Sequence, residues 1–475
     1  MPSDPRHIAF KVLTRVEGKR SSLDDTLENN RERLDRLSAR DRALANGIIF
    51  GTLRRQLSID WIIKAFSDKE FKRIDVEVLV LLRMALFQII HMDRIPPSAA
   101  VNTAVTIAGR EKGKGAAGFV NAVLRKASRD HSSVPPPDPS KDPLLFTSVD
   151  RNIPLWLVKR WMNRYGRDKS TRLFDAANEI PPITVRTNTL KTDRDNLFKR
   201  LEPNVSTVEL TRLSPLGLSV TGPKTGLHET EEFRNGFFQV QDEAAQLTTS
   251  LLAPAPGERI LDACAGLGGK TGHIAQLMGN TGRIVAADTH SGRLSALEQE
   301  MQRLGIGITE TRLADILKHD LEAFDNCFDR VLVDAPCTGL GVLRRNPDAK
   351  WNKSVKDVRR NAEKQKKILL SAADLVRPGG ILLFAVCSAE PEENEEVIDA
   401  FLEKRKDFHI DPCSLEGVSE NDASLVFTDR GFFRSYPAAS FMDGFFAAKL
   451  VKNADSKSFS HRTSLKQKPY SGDPV

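Results

Sequence analysis

The sequence predicts a multidomain protein: an all-α bundle, then a small α+β unit, then an α/β domain built on a doubly wound parallel sheet. Three observations carry this. The chain has 475 residues, more than one ordinary core accommodates. A proline-rich stretch, Ser132-Ser-Val-Pro-Pro-Pro-Asp-Pro-Ser-Lys-Asp-Pro143, has the composition of a stiff spacer between domains. Beyond residue 236, strand-like and helix-like segments alternate, the pattern of parallel βαβ units. The expected organisation is therefore a helical domain over 1–130, a linker over 131–149, a small subdomain over 150–235, the α/β domain over 236–452 and a polar, disordered tail over 453–475.

The first domain reads as helical because its apolar residues recur at helical spacing, in Ile8 to Val16 and again from Leu44 to Leu57. The run Val76 to Ile90 is apolar nearly all round, which places that helix at the centre of a bundle. From Arg110 to Lys126 the spacing suggests a flexible, basic, glycine-rich turn leading into a short helix, where backbone amides and Lys/Arg can hold phosphate. Charge supports that reading. Residues 1–130 hold 24 Lys+Arg against 16 Asp+Glu, which accounts for the whole net charge of +7. A basic excess on one domain is the footprint of a polyanion binder, although a solvated basic surface is the commoner meaning of such a count.

In the second unit, a Trp-bearing helix is expected over Leu155 to Tyr165 and a strand over Ile183 to Asn188. The five cysteines, Cys264, Cys327, Cys337, Cys387 and Cys413, are odd in number and lack CxxC spacing, so neither a disulfide framework nor a metal site is expected. The amino terminus has no signal-peptide core, and no run approaches the roughly 18 apolar residues of a membrane span. A soluble cytoplasmic protein with no membrane or metal partner, monomeric, is the expectation.

The third domain opens with an apolar strand, Arg259 to Asp262, running into Cys264-Ala265-Gly266-Leu267-Gly268-Gly269-Lys270 and a helix over His273 to Met278. Glycines at a first strand-to-helix junction let backbone pass close to a ligand. Gly269-Lys270-Thr271 ends like a P-loop, but Cys264 stands where that motif needs glycine. The second strand ends at Asp288, about twenty residues after the glycines, where nucleoside-binding folds bond ribose hydroxyls. Asp315 follows the next strand. A single strand-end Asp is often a helix cap, but these acids together with the glycine turn favour an adenosyl cofactor.

Two further strand-like runs end in thiols: Arg330-Val-Leu-Val-Asp334-Ala-Pro-Cys337 and Ile381-Leu-Leu-Phe-Ala-Val-Cys387. A parallel sheet builds its crevice at the carboxyl ends of its strands, so the two thiols can face one substrate, which suggests covalent chemistry. Free cysteine is also a common packing residue. The company each keeps lowers that reading, for Asp334 precedes Cys337 and an acidic run, Glu390 to Asn394, follows Cys387.

Asp334-Ala-Pro-Cys337-Thr-Gly-Leu-Gly through Lys350-Trp351, with Cys387-Ser-Ala-Glu-Pro-Glu-Glu-Asn394 and the glycine turn, closely resembles the RNA cytosine-5 methyltransferases, and specifically the RsmB (Sun/Fmu) family of 16S ribosomal RNA enzymes. Phe238 to Ala245 and Asp443 to Lys449 match further stretches of that family, and the helical domain resembles NusB. The resemblance covers about residues 5 to 452. It implies a NusB-like domain joined to a Rossmann-like class I methyltransferase domain, S-adenosylmethionine as cofactor and 16S ribosomal RNA as partner. Carried over by position, cofactor contacts fall on Cys264 to Lys270, Asp288, Asp315 and Asp334, the nucleophile on Cys387, and the cysteine needed for product release on Cys337. The chain departs from the family pattern at Gly266-Leu267, where Ala-Pro is usual, and at Val386, where Thr is usual.

The implied chemistry explains the residue types. Cytosine C5 is a poor nucleophile until a thiolate adds to C6 and makes it enamine-like. Asp334 can meet the N3 edge as charge builds there. A free thiol near pKa 8.5 is mostly protonated at neutral pH, so a cation is wanted nearby, and Lys270 is the candidate. A base attacked in this way must stand outside a helix, so looped or opened RNA is expected. Two alternatives remain: the same chemistry on tRNA or another RNA, and an RNA-binding assembly factor whose methyltransferase-like domain is idle.

Overall fold

The computed structural model describes residues 4–18, 22–318, 324, 327–440 and 442–454. Of the tail expected to be disordered, 455–475 lies outside the described residues, while Asn453 at its start is tied by its amide to the Asp407 carbonyl at 2.8 Å. Among the described residues no helix is long and apolar enough to cross a membrane.

Helices Pro5–Glu17, Ala39–Arg54, Gln56–Phe66, Val76–His91, Pro97–Lys112 and Lys114–Asp130 enclose the amino-terminal core. Val76–His91 is its axis, with every residue from Val78 to Gln88 buried. The charged residue on that stretch, Arg83, meets Asp60 at 2.6 and 2.8 Å and Glu17 at 2.8 Å, because a buried charge is tolerated only when paired. The glycine-rich stretch after Arg110 departs from expectation. Only Gly113 (φ 87°) turns the chain, and Gly115 and Gly118 are helical. Val120, Val123, Leu124 and Ala127 bury one face of Lys114–Asp130, and that burial outweighs roughly 1 kcal/mol per helical glycine.

The stretch expected as linker, 131–149, is only partly one. Helix Pro143–Asp150 begins inside it, with proline at a position needing no N–H donor and the Asp142 carboxylate accepting from the Leu145 amide at 2.9 Å. The next helix, Leu155–Ala176, runs past Tyr165 by bending at Gly166 (φ 72°). A four-stranded antiparallel sheet follows, of β1 (Ile183–Thr187), β2 (Thr207–Leu210), β3 (Gly217–Thr221) and β4 (Phe238–Val240), in the order β2-β3-β1-β4. Strand β4 corrects the boundary expected at 235/236, since Val240 pairs with Val185 and Phe238 is buried in the small subdomain's own core.

The large sheet comprises β5 (Arg259–Asp262), β6 (Arg283–Asp288), β7 (Thr309–Leu313), β8 (Phe328–Asp334), β9 (Val376–Val386), β10 (Phe408–Ile410), β11 (Phe433–Arg434) and β12 (Phe446–Lys452). Its order is β10-β12-β9-β8-β5-β6-β7, with β11 beside β12. Strands β5 to β9 are parallel, but β12 pairs antiparallel with β9, β10 and β11, so the sheet is mixed rather than wholly parallel. Apolar clusters cover both faces. Strand order reverses at β5, between β6 and β8, and ligands bind at the carboxyl ends of strands at such a switch point. Asp334 and Ala385 are in register on β8 and β9, so the chain just beyond each strand delivers Cys337 and Cys387 to one place.

Candidate active site

The glycine turn opens toward the crevice. Its helix, Gly269–Leu277, begins four residues earlier than expected, because Gly268 takes a left-handed conformation (φ 85°) that starts the helix at once. A Cβ at Gly266 (φ 55°) or Gly269 would meet nothing within 4 Å, which leaves room for a ligand against the backbone amides. Leu267 stands 63% exposed beside that space. At the end of β6, Asp288 accepts from the Gly266 amide at 3.1 Å and the His290 amide at 2.9 Å, and so braces the turn with one oxygen. Asp315, after β7, accepts from the Leu317 amide at 3.1 Å. Asp262 underlies the turn, fully buried with Thr271 donating to it at 2.7 Å; burial raises its pKa to about 7. Burial, then Asp262, Asp334 and Asp288, push the Cys264 thiol up, so it is a neutral element of the turn. Open space over the glycines, inward amides and two strand-end carboxylates fit an adenosyl group.

The second half of the site holds the two sulfurs, with the Cys337 and Cys387 Sγ atoms 3.1 Å apart. The Lys270 ammonium lies beside them and binds Asp334 at 2.6 Å. Burial works against its charge, but Asp334, then Cys387 and Asp262, raise its pKa, so Lys270 remains a cation. The hydrogen bond to Cys387, then burial, then the charges of Cys387 and Glu393, push the Cys337 thiol well up. A hydrogen bond joins the two sulfurs, and either can be its donor.

Three bracing residues went unseen in the sequence. Glu393 accepts from the Thr338 amide at 2.8 Å, the Thr338 hydroxyl at 2.5 Å and the Ser388 hydroxyl at 2.5 Å, tying together the residues that follow each cysteine. Glu390, fully buried, takes the Trp161 indole N–H at 2.8 Å and pairs with Arg160, fastening the Cys387 loop to helix Leu155–Ala176. The acidic run after Cys387 signalled both without showing their partners. Gly341 donates its amide to the Cys387 carbonyl at 3.1 Å and accepts from the Gly444 amide at 2.9 Å. A Cβ there would stand 2.0 Å from the Gly444 oxygen and 3.0 Å from the Cys387 oxygen. Gly341→Ala is expected to destabilise the protein by about 1–3 kcal/mol, as overpacking does. An unchanged midpoint in chemical denaturation would show that this backbone crossing gives way easily.

Among the described residues no group of three or more His, Cys, Asp or Glu side chains is placed to hold a metal. Comparison with known proteins adds three family matches: 16S rRNA methyltransferase RsmB/F over residues 249–451, the NusB family over 3–129, and the RsmF/B-like ferredoxin-like domain over 153–225. The probable ribosomal RNA small subunit methyltransferase B of Bacillus subtilis is 34% identical over 448 residues, which is 94% of this chain and 98% of that protein. The ribosomal RNA small subunit methyltransferase B of Pseudomonas syringae pv. tomato is 33% identical over 457 residues, covering 95% and 97%. Among solved structures, PH0851 superposes with a TM-score of 0.81 at 27% identity, covering 95% of this chain and all (100%) of that one.

Proposed function

Because the chain belongs to the RsmB family of ribosomal RNA small subunit methyltransferases, we propose that it methylates C5 of a cytosine in 16S ribosomal RNA through a covalent bond between Cys387 and C6. The observation that carries this reading is the thiol pair, 3.1 Å apart at the ends of two neighbouring strands, with the Lys270–Asp334 ion pair in the same site. The cofactor is S-adenosylmethionine, which supplies an electrophilic methyl group. The turn Cys264–Lys270 with Asp288, Asp315 and Asp334 would hold it.

The Cys387 thiolate, beside Lys270 and Cys337, adds to C6, and the electron pair of the C5–C6 bond moves onto the ring. Asp334, held by Lys270, meets the N3 edge where negative charge accumulates. C5 would then take the methyl group as the methyl–sulfur bond of the sulfonium breaks, its electron pair staying on sulfur to leave a neutral thioether, and C5 becomes saturated. Loss of the C5 proton, assisted by Cys337 or a group it orients, returns an electron pair to the ring, breaks the C6–S bond and frees the Cys387 thiolate. The ferredoxin-like unit and the basic amino-terminal domain hold the flanking RNA, a substrate met in the cytoplasm.

Labelled-methyl transfer with a panel of 16S ribosomal RNA and tRNA tests the reading. Label in 16S RNA supports it, label only in tRNA favours the other substrate, and no transfer favours an idle assembly factor. Asp288→Ala is expected to weaken S-adenosylmethionine binding by at least about 1 kcal/mol, the range of a lost charged hydrogen bond. Unchanged affinity in calorimetry would remove Asp288 from the cofactor site. Reversing exposed charges on the amino-terminal domain, with Lys114, Arg125 and Lys126 changed to Glu, is expected to weaken RNA binding and flatten its salt dependence. Equal salt slopes for variant and wild type would assign that surface to something other than RNA.

A further inference from the structure

The segment that leaves Cys337 ends in a node where all three domains meet. Lys350 is completely buried (0% exposed), and among the described residues its amine meets no carboxylate; burial, then Arg54 and Arg55, push its pKa well down. It donates instead to three neutral oxygens: the Asn178 amide at 2.9 Å, the Asn152 carbonyl at 3.2 Å and the Arg54 carbonyl at 3.3 Å. The neighbouring Trp351 indole N–H donates to the Leu53 carbonyl at 2.8 Å. Leu53 and Arg54 end helix Ala39–Arg54, and terminal carbonyls are groups a helix leaves without internal partners. The catalytic domain thus caps a helix of the amino-terminal domain from some three hundred residues away. The contact is returned, because Arg54 donates to the Arg344 carbonyl at 2.7 Å and the Leu23 amide donates to Asp348 at 3.1 Å.

Adhesion alone would be served by apolar side chains, since a buried amine costs free energy unless its hydrogen bonds are all made, and these fix its position. What the node fixes is the stretch from Thr338 to Trp351. That stretch carries Gly341, whose amide holds the Cys387 carbonyl, and Thr338, which shares Glu393 with Ser388. We propose that Lys350 is a positioning residue for the cysteine pair, so that seating of the amino-terminal domain sets the attack geometry of Cys387. This rests on the reading of Cys387 as the nucleophile. It gives the amino-terminal domain a part in turnover separate from RNA affinity.

The test uses the full chain with Lys350→Met and, since a buried substitution can impair folding, Trp351→Phe, which removes the indole N–H and shrinks the ring while keeping an aromatic face. Three quantities are measured: kcat and KM for methyl transfer to 16S RNA, S-adenosylmethionine affinity, and the rate at which iodoacetamide alkylates Cys387, read by peptide mass spectrometry without RNA. The expected result is a kcat reduced at least tenfold by Lys350→Met and several-fold by Trp351→Phe. KM and cofactor affinity stay within twofold, and the Cys387 alkylation rate changes in both. Variants that lose only thermal stability, or that raise KM with kcat and alkylation unchanged, would overturn the proposal. If wild type itself transfers no methyl group, the proposed activity fails, while the alkylation rates still decide whether Lys350 acts on Cys387.

Discussion

Cys387→Ala is expected to abolish both methyl transfer and any covalent protein–RNA adduct, a loss on the order of 10⁴-fold or more, because no thiolate remains to activate C5. Cys337→Ala is expected to behave differently. Attack and methylation proceed, release slows, and an adduct stable to denaturation accumulates. The geometry puts the two sulfurs 3.1 Å apart, so the thiol that does not attack is at hand to assist release. Denaturing electrophoresis with labelled RNA reads the outcome. An adduct with Cys387→Ala but none with Cys337→Ala would exchange the two roles, and modest stability losses with no adduct in either would reduce both to packing residues.

Lys270→Met is expected to lower kcat by about 10²–10³-fold, the range of removing one preorganised electrostatic partner. Two effects combine: Asp334 loses the partner that holds it at 2.6 Å, and Cys387 loses the cation beside it. Since the Lys270 pKa is raised, the ammonium persists in wild type throughout the neutral range, so the deficit is expected to be uniform across neutral pH rather than confined to one side of it. Full recovery of kcat at saturating S-adenosylmethionine would instead make Lys270 a residue of the cofactor turn alone.

The carboxyl ends of the parallel strands were the most legible part of the chain. Asp288, Asp334 and Cys387 each end or follow a continuous apolar run, and such runs mark buried strands regardless of what lies far away. The register of β8 on β9 then makes neighbours of two cysteines that the sequence could only place at separate strand ends. What stayed hidden depends on distant partners. Glycines at 115 and 118 read as a turn, but the buried face of Lys114–Asp130 makes them helical. Phe238 to Val240 reads as the approach to the cofactor strand and joins the smaller sheet through its pairing with β1. Glu393 is one acid in an acidic run until Thr338 and Ser388 meet at it. Lys350 belongs to a recognisable motif, yet the helix end it caps lies in another domain.

Nucleotide-resolution bisulfite mapping of 16S ribosomal RNA tests the central claim most directly, because a methyl group on C5 protects cytosine from conversion whereas one on another base does not. RNA incubated with the protein and S-adenosylmethionine is predicted to gain one protected cytosine that is absent with Cys387→Ala. Transfer of labelled methyl groups to the same RNA with every cytosine still converted would contradict cytosine-5 chemistry.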